Sequence, residues 1–130
     1  MSDINSSQMI SASGMAAQAA RLRLVSENIA NVDTPGFRAK SVSFQAVSDF
    51  MADAGSVRTG RVELSNAELP EVYDPGHPLA DEQGYYQGSN VNLMVQIADA
   101  REAQRSYEAN LKMFDQARQM KSSILELLKR

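Results

Sequence analysis

His77 is the only imidazole in a chain of 130 residues that has no cysteine. Acid–base chemistry near neutral pH falls most readily to histidine, but it needs a second group to orient it or to share the proton. A zinc site needs several nitrogen or sulfur ligands, so His77 alone holds no metal. It lies in "DPGHP" (Asp74 to Pro78), where two prolines and a glycine within five residues require a turn. A surface position is therefore expected for it. Asp81 and Glu82 are neighbouring carboxylates, but adjacency in a loop does not aim both at one substrate, so they read as solvated acids. No Ser-His-acid set, phosphate loop or dinucleotide fingerprint occurs. Tyr107 and Phe114 could stack on a ligand, yet their helical spacing makes them interface residues. The pattern points away from an enzyme, with no catalytic residue, metal or cofactor expected.

Composition narrows the class further. The net charge of −3 is unevenly spread: residues 41–90 carry eight acids and two bases, whereas residues 91–130 carry seven bases and five acids. No basic cluster is dense enough for nucleic acid. No apolar run approaches the ~20 residues of a membrane-spanning helix, so direct membrane insertion is not expected. A basic stretch followed by an apolar run is absent from the N-terminus, so no cleaved secretory signal is expected. With no thiols, passage into an oxidising compartment would leave the chain chemically unchanged. Tryptophan is absent and alanine and methionine supply much of the apolar surface, which favours close helix packing over a thick core.

Three segments are expected: residues 1–40, 41–90 and 91–130. The first reads as a helix over about Ser6–Val32, with Leu22, Val25, Ile29 and Val32 spaced three and four apart on one stripe. Gly14 is its one interior weak point, where alanine should help by up to ~1 kcal/mol. The third reads as a longer helix over about Val91–Leu128. Tyr107, Leu111, Phe114, Ala117, Met120, Ile124 and Leu127 form its stripe, and Ser89, Asn90 and Asn92 are its candidate caps. The middle holds short strands at "SVRTGRVELS", "PEVYD" and "EQGYYQGSN". "SVSFQAV" could be a strand, and "SFQAVSDFMADAG" could equally be a short helix ended by Gly55. The expected fold is mainly α: long N- and C-terminal helices paired as a coiled coil, with a small β-rich insert between them.

The first helix stops abruptly at "NIANVDTPGFRAK". Pro35 disfavours helix at Thr34, and Gly36 takes positive φ cheaply, so Thr34-Pro35-Gly36-Phe37 fits a type II turn. Asn31 and Asp33 can bond the helix-end carbonyl or amide groups. Such a stop both ends the helix and fixes the direction of the exit.

The stretch "SASGMAAQAARLRLVSENIANVDTPGFRAK" closely resembles the N-terminus of the bacterial flagellar axial proteins, whose first helix closes on Ala-Asn-x-x-Thr-Pro-Gly-Phe/Tyr. Ala30, Asn31, Thr34, Pro35, Gly36 and Phe37 match position by position. "AREAQRSYEANLKMF" is similar to the family's C-terminal helix, through Arg105, Ser106, Tyr107, Ala109 and Asn110. "VYDPGHPLADEQGY" resembles the insert of the short proximal-rod members, while "YYQGSNVNL" departs from the usual hydrophobic-Pro-Asn approach to the second helix.

The resemblance implies a structural subunit of the basal-body rod that polymerises into a torque-transmitting helical tube. It implies an assembly motif of Asn28, Ala30, Asn31, Thr34, Pro35, Gly36 and Phe37. It also implies a helix interface including Leu22, Val25, Ile29, Arg105, Tyr107, Asn110, Leu111, Phe114 and Ile124. Implied partners are the chain itself, other rod proteins, the membrane-ring base, the distal rod and the export apparatus. The implied location is the basal body in the periplasmic space, reached by flagellar type III export. The alternatives are another flagellar axial protein, or a soluble coiled-coil adaptor or chaperone, which would share the helical periodicity but not the Thr-Pro-Gly-Phe closure.

Overall fold

A computed structural model describes residues 2–48 and 55–130. Two long helices, α1 (Ser2–Ala30) and α2 (Leu93–Leu128), flank four short strands. The strands are β1 (Lys40–Ala46), β2 (Val57–Leu64), β3 (Glu71–Tyr73) and β4 (Tyr85–Gln87).

The helices lie side by side and antiparallel. Asn28 meets Gln96, Arg21 meets Asp99 and Glu102, Gly14 meets Asn110, and Asn5 meets Lys121. Helix α1 starts four residues before the expected Ser6 and gives way to turns after Ala30, before the expected Val32. Helix α2 starts at Leu93 because Asn92 is its N-cap, with Oδ1 accepting from the Met94 and Val95 amides at 3.1 and 3.3 Å. Ser89 and Asn90 do not cap it; both bond to the segment that leaves α1.

Packing along the seam follows side-chain size more than apolarity. Among the described residues the buried apolar ones are Ala17, Leu24, Val25, Ala103 and Ala117, three of them alanine. Alanine lets two helix backbones approach closely but removes little area from water, and at about 25 cal/mol per Å2 it contributes less than a buried leucine. On α2 the buried and half-buried positions include Gln96, Ala103, Asn110, Ala117 and Ile124, seven residues apart, with Tyr107 and Phe114 between them. Three members of the expected stripe, Leu111, Met120 and Leu127, are exposed on α2. On α1 Val25 is buried and Leu22 and Ile29 are half-buried at the margin; Val32, in the turn beyond α1, is half-buried as well.

The insert forms two separate antiparallel hairpins, β1-β2 and β3-β4. "SVSFQAV" is strand: β1 pairs with β2 from Lys40↔Leu64 to Ala46↔Val57, with a bulge between Val42 and Phe44. Residues 49–54 of the alternative helical reading lie outside the described residues. This hairpin lies along α1. At one end Asn28 holds Lys40, and at the other the Ser13 hydroxyl accepts from the Val57 amide at 3.0 Å. The second hairpin is closed by its own loop. Asp81 Oδ1 accepts from the Gln83 and Tyr85 amides, and Gly84 takes φ +90°.

Candidate functional site

The "NIANVDTPGFRAK" segment becomes a polar clasp where α1, β1, β4 and the start of α2 meet. Its first element is the helix stop. The Asn31 amide bonds the carbonyls of Glu27 and Asn28. The Asn31 side chain donates to Glu27 O at 2.8 Å, while its Oδ1 accepts from the Thr34 hydroxyl at 3.1 Å. One asparagine therefore satisfies a helix-end carbonyl and organises the turn that follows. Next comes the turn itself, as expected from its sequence. Gly36 has φ +74°, and the Phe37 amide donates to Thr34 O at 3.2 Å across Pro35.

The turn is then fastened to the far end of the insert. The Gly36 amide donates to Gln87 O and the Asn90 amide to Phe37 O, both at 3.1 Å. Ser89 Oγ donates to Val32 O. Asn90 Oδ1 accepts from the Ala39 amide at 2.7 Å, and its Nδ2 donates to Ala67 O at 3.1 Å. Arg38 Nη1 donates to the carbonyls of Ser65 and Ala67 at 3.0 and 3.1 Å.

Beneath the turn lies Asn28, 1% exposed. Its Oδ1 accepts from the Lys40 amide at 2.8 Å, and its Nδ2 donates to Lys40 O at 2.8 Å and to Gln96 Oε1 at 3.0 Å. A side-chain amide here bonds a strand residue as another strand would, and both its donors and its acceptor are used. A buried amide costs free energy unless it is bonded in this way.

Among the residues of the sequence-derived motif, Asn28, Asn31, Thr34, Pro35, Gly36 and Phe37 come together here. Ala30 is exposed beside them. Along the helices, Tyr107, Asn110, Phe114, Ile124, Leu22 and Ile29 are half-buried and Val25 is buried. Arg105 is exposed, and Leu111 is 41% exposed. The sequence reading missed Arg38, Lys40 and Gln96, and took Ser89 and Asn90 for caps. The dense uncharged polar run "QGSNVN" was the available signal, since it supplies more capping groups than one helix start can use.

Gly14 requires a correction. A Cβ there would stand 2.6 Å from Asn110 Oδ1 and 2.9 Å from its Cγ. An alanine methyl at this position would require the Asn110 amide, itself bonded to Ser106 O, to shift.

Among the described residues no catalytic constellation is brought together. His77 stacks on Tyr86 at 4.0 Å with Nδ1 accepting from the Leu79 amide, a turn-stabilising role. Asp81 caps its own loop. No group of three or more metal-ligating side chains occurs among the described residues. Nor is any helix among them long and apolar enough to cross a membrane.

Comparison with known proteins adds to this geometry. The family described as "Flagella basal body rod protein" matches residues 10–38, and "Flagellar basal body rod FlgEFG protein C-terminal" matches residues 82–127. The chain is similar to the "Flagellar basal-body rod protein FlgC" of Agrobacterium fabrum, at 39% identity over 99% of this chain and 98% of the relative. It is similar to the protein of that name from Salmonella typhimurium, at 35% identity over 91% of this chain and 92% of the relative. For the Aquifex aeolicus protein the figures are 38%, 88% and 89%.

Proposed function

The chain belongs to the family of flagellar basal-body rod proteins, and on that premise we propose that it works as a structural subunit that polymerises, with no catalytic step. The observation that carries this reading is the apolar surface left on α2. Met94, Val95, Met113, Met120, Leu127 and Leu128 are 75%, 51%, 59%, 52%, 68% and 73% exposed. Apolar area on this scale, repeated along one helix, is suited to burial by neighbouring subunits. Repetition of a heterologous contact whose rotation does not close yields a helical tube.

In this reading residues 1–40 and 91–130 form the inner helical domain, their helices paired as a coiled coil, and residues 41–90 form an outer insert. The clasp from Asn28 to Phe37 sets the angle between the two. Leu22, Val25, Ile29, Arg105, Tyr107, Asn110, Leu111, Phe114 and Ile124 contribute the helical interfaces. The partners are other rod subunits, with the membrane-ring base and the distal rod at the two ends. The chain reaches the periplasmic basal body through the flagellum's own export apparatus and transmits torque there. The test is incorporation. A tagged chain replacing the native copy should be recovered in purified basal bodies and should restore swimming. A chain found only as a small soluble oligomer, with basal bodies complete without it, would overturn the reading.

A further inference from the structure

The exposed side of α2 carries more positive charge than its own chain neutralises. Met94, Ala98, Arg101, Arg105 and Lys112 recur at helical spacing and are all exposed, on the side away from the buried Gln96 and Ala103. Two of the nearby acids, Asp99 and Glu102, are engaged by Arg21 of α1 at 3.2 and 3.6 Å. Arg101, Arg105 and Lys112 are left with Glu108 as the one acid among them, and none of these four forms an ion pair among the described residues. Arg101 and Arg105 stand one turn apart, where like charges repel and weaken a helix. Beside them the surface is apolar. Met94, Ile97 and Ala98 line a shallow depression of about 590 Å3 together with the two arginines and Glu102.

The insert presents a surface of complementary kind. The stretch from Glu63 to Pro70 leaves β2 and leads to β3. Glu63 and Glu68 are exposed, with no ion-pair partner among the described residues, and Leu64, Ala67 and Pro70 are exposed around them. The stretch is held in place. Arg38 Nη1 donates to the carbonyls of Ser65 and Ala67, and Asn90 Nδ2 also donates to Ala67 O. These bonds engage only the backbone, so the two carboxylates stand free on a fixed frame. A surface fixed before contact loses less entropy on binding. Glu71, beyond Pro70, lies opposite Gln87 in the β3-β4 ladder and belongs to the other hairpin. A polyanion such as nucleic acid would call for a denser basic patch than three cations, whereas an apolar depression edged by two arginines suits an acidic peptide stretch that carries leucine and proline.

We propose that the Arg101–Arg105 face of α2 is the docking surface for the Glu63–Pro70 stretch of a second copy of this chain. This contact rests on the rod-subunit reading and names what covers part of α2 in the assembly. Guanidinium and carboxylate groups meet in forked, bidentate geometry, and the apolar residues of each patch cover those of the other. Charged pairs at the edge of an interface select the partner and speed encounter more than they add affinity. The two patches differ, so the contact is heterologous and its repetition adds copies in one direction. Arg105, exposed and turned away from α1, thereby has its place in an interface between copies.

Because the chain contains no cysteine, a cross-link between two copies reports the contact directly. Asn66→Cys places a thiol between the two acids and Ala98→Cys places one in the depression, and neither removes a charge. The two full-length chains, carrying different tags, would be purified, mixed at low salt and joined by a short bifunctional thiol reagent. A mixed dimer should form, and added salt should lower its yield. Arg101→Glu/Arg105→Glu on the Ala98→Cys copy should lower the yield about tenfold, because like charges would then be brought together. Arg101→Gln/Arg105→Gln, which removes charge without adding repulsion, should cause a smaller loss. Glu63→Arg/Glu68→Arg on the Asn66→Cys copy should restore the yield lost to the glutamates, a recovery that a misfolded partner would not allow. Absence of the mixed dimer, a yield indifferent to the reversed charges, or no recovery with the compensating pair would each overturn the proposal. So would Ala98→Cys becoming joined, in purified basal bodies, to a protein other than this chain. A wild-type chain missing from basal bodies would fail the rod-subunit reading, whereas the cross-link in solution judges the contact between copies by itself.

Discussion

Gly14 of α1 and the Asn110 side chain of α2 share one gap in the helix seam, so close that a Cβ on the glycine would stand 2.6 Å from Asn110 Oδ1. Asn110 is held there by its own bond, Nδ2 donating to Ser106 O at 2.8 Å. Gly14→Ala should therefore destabilise the chain. Overpacking at a fixed contact costs about 1–3 kcal/mol, which outweighs the ~1 kcal/mol of helix propensity gained. Removing the obstruction with Asn110→Ala should recover most of that loss in the double variant. Chemical denaturation of the four chains gives the coupling directly, and additive effects would refute the contact.

Gly36 presents the opposite situation. No atom lies within 4 Å of a Cβ built on it, so the cost of substitution is purely that of φ +74°. Gly36→Val forces a β-branched residue into the left-handed region, at about 1–3 kcal/mol. Gly36→Asn should be milder, because asparagine visits that region more readily. Swimming halos and melting temperatures should rank wild type, Asn and Val in that order. Equal defects from Asn and Val would show that something other than the turn is being read.

These two glycines also show what was legible in the sequence. The turn at Thr34–Phe37 was readable because proline and glycine act through local dihedral preference, and nothing distant had to be known. The contact at Gly14 was not, because its cause lies on another helix, 96 residues further along the chain. The same division runs through the rest of the fold. Helices, strands and the capping role of Asn92 follow from nearby residues. The seam was misjudged because hydrophobic periodicity picks out Leu111 and Met120, whereas close approach of two backbones selects alanine, glycine and asparagine. Asn28 was legible as a member of the assembly motif but not as a buried residue, because its burial depends on Lys40 and Gln96 arriving from two other elements.

Arg38 should matter for the placement of the insert. Its guanidinium bonds the carbonyls of Ser65 and Ala67, where the chain leaves β2. Hydrogen bonds from a charged donor are worth about 1.5–3 kcal/mol, reduced here because the site is partly exposed. Arg38→Ala should lower stability by about 1–2 kcal/mol and speed proteolysis between β2 and β3. Arg38→Lys should recover little, since one ammonium does not reproduce the planar guanidinium fork. Full rescue by lysine would mean that charge alone is needed.

The helix-face assignments separate into two effects that one pair of variants distinguishes. Leu111 is 41% exposed on α2, so Leu111→Asp should change the stability of the isolated chain by no more than ~1 kcal/mol. Phe114 is half-buried, and a charge placed there meets a desolvation cost of several kcal/mol. Phe114→Asp should thus weaken the isolated chain and also keep it out of the rod. Leu111→Asp should leave the isolated chain folded and fail only at assembly, where a neighbouring subunit would have to bury the carboxylate. Glu71→Lys, on the exposed strand β3, is the control and should assemble normally. Circular dichroism of each purified chain, paired with its recovery in purified basal bodies, gives both axes. Normal recovery of Leu111→Asp would place that residue on a surface that stays in solvent after assembly, and the inter-subunit role assigned to this face of α2 would fall with it.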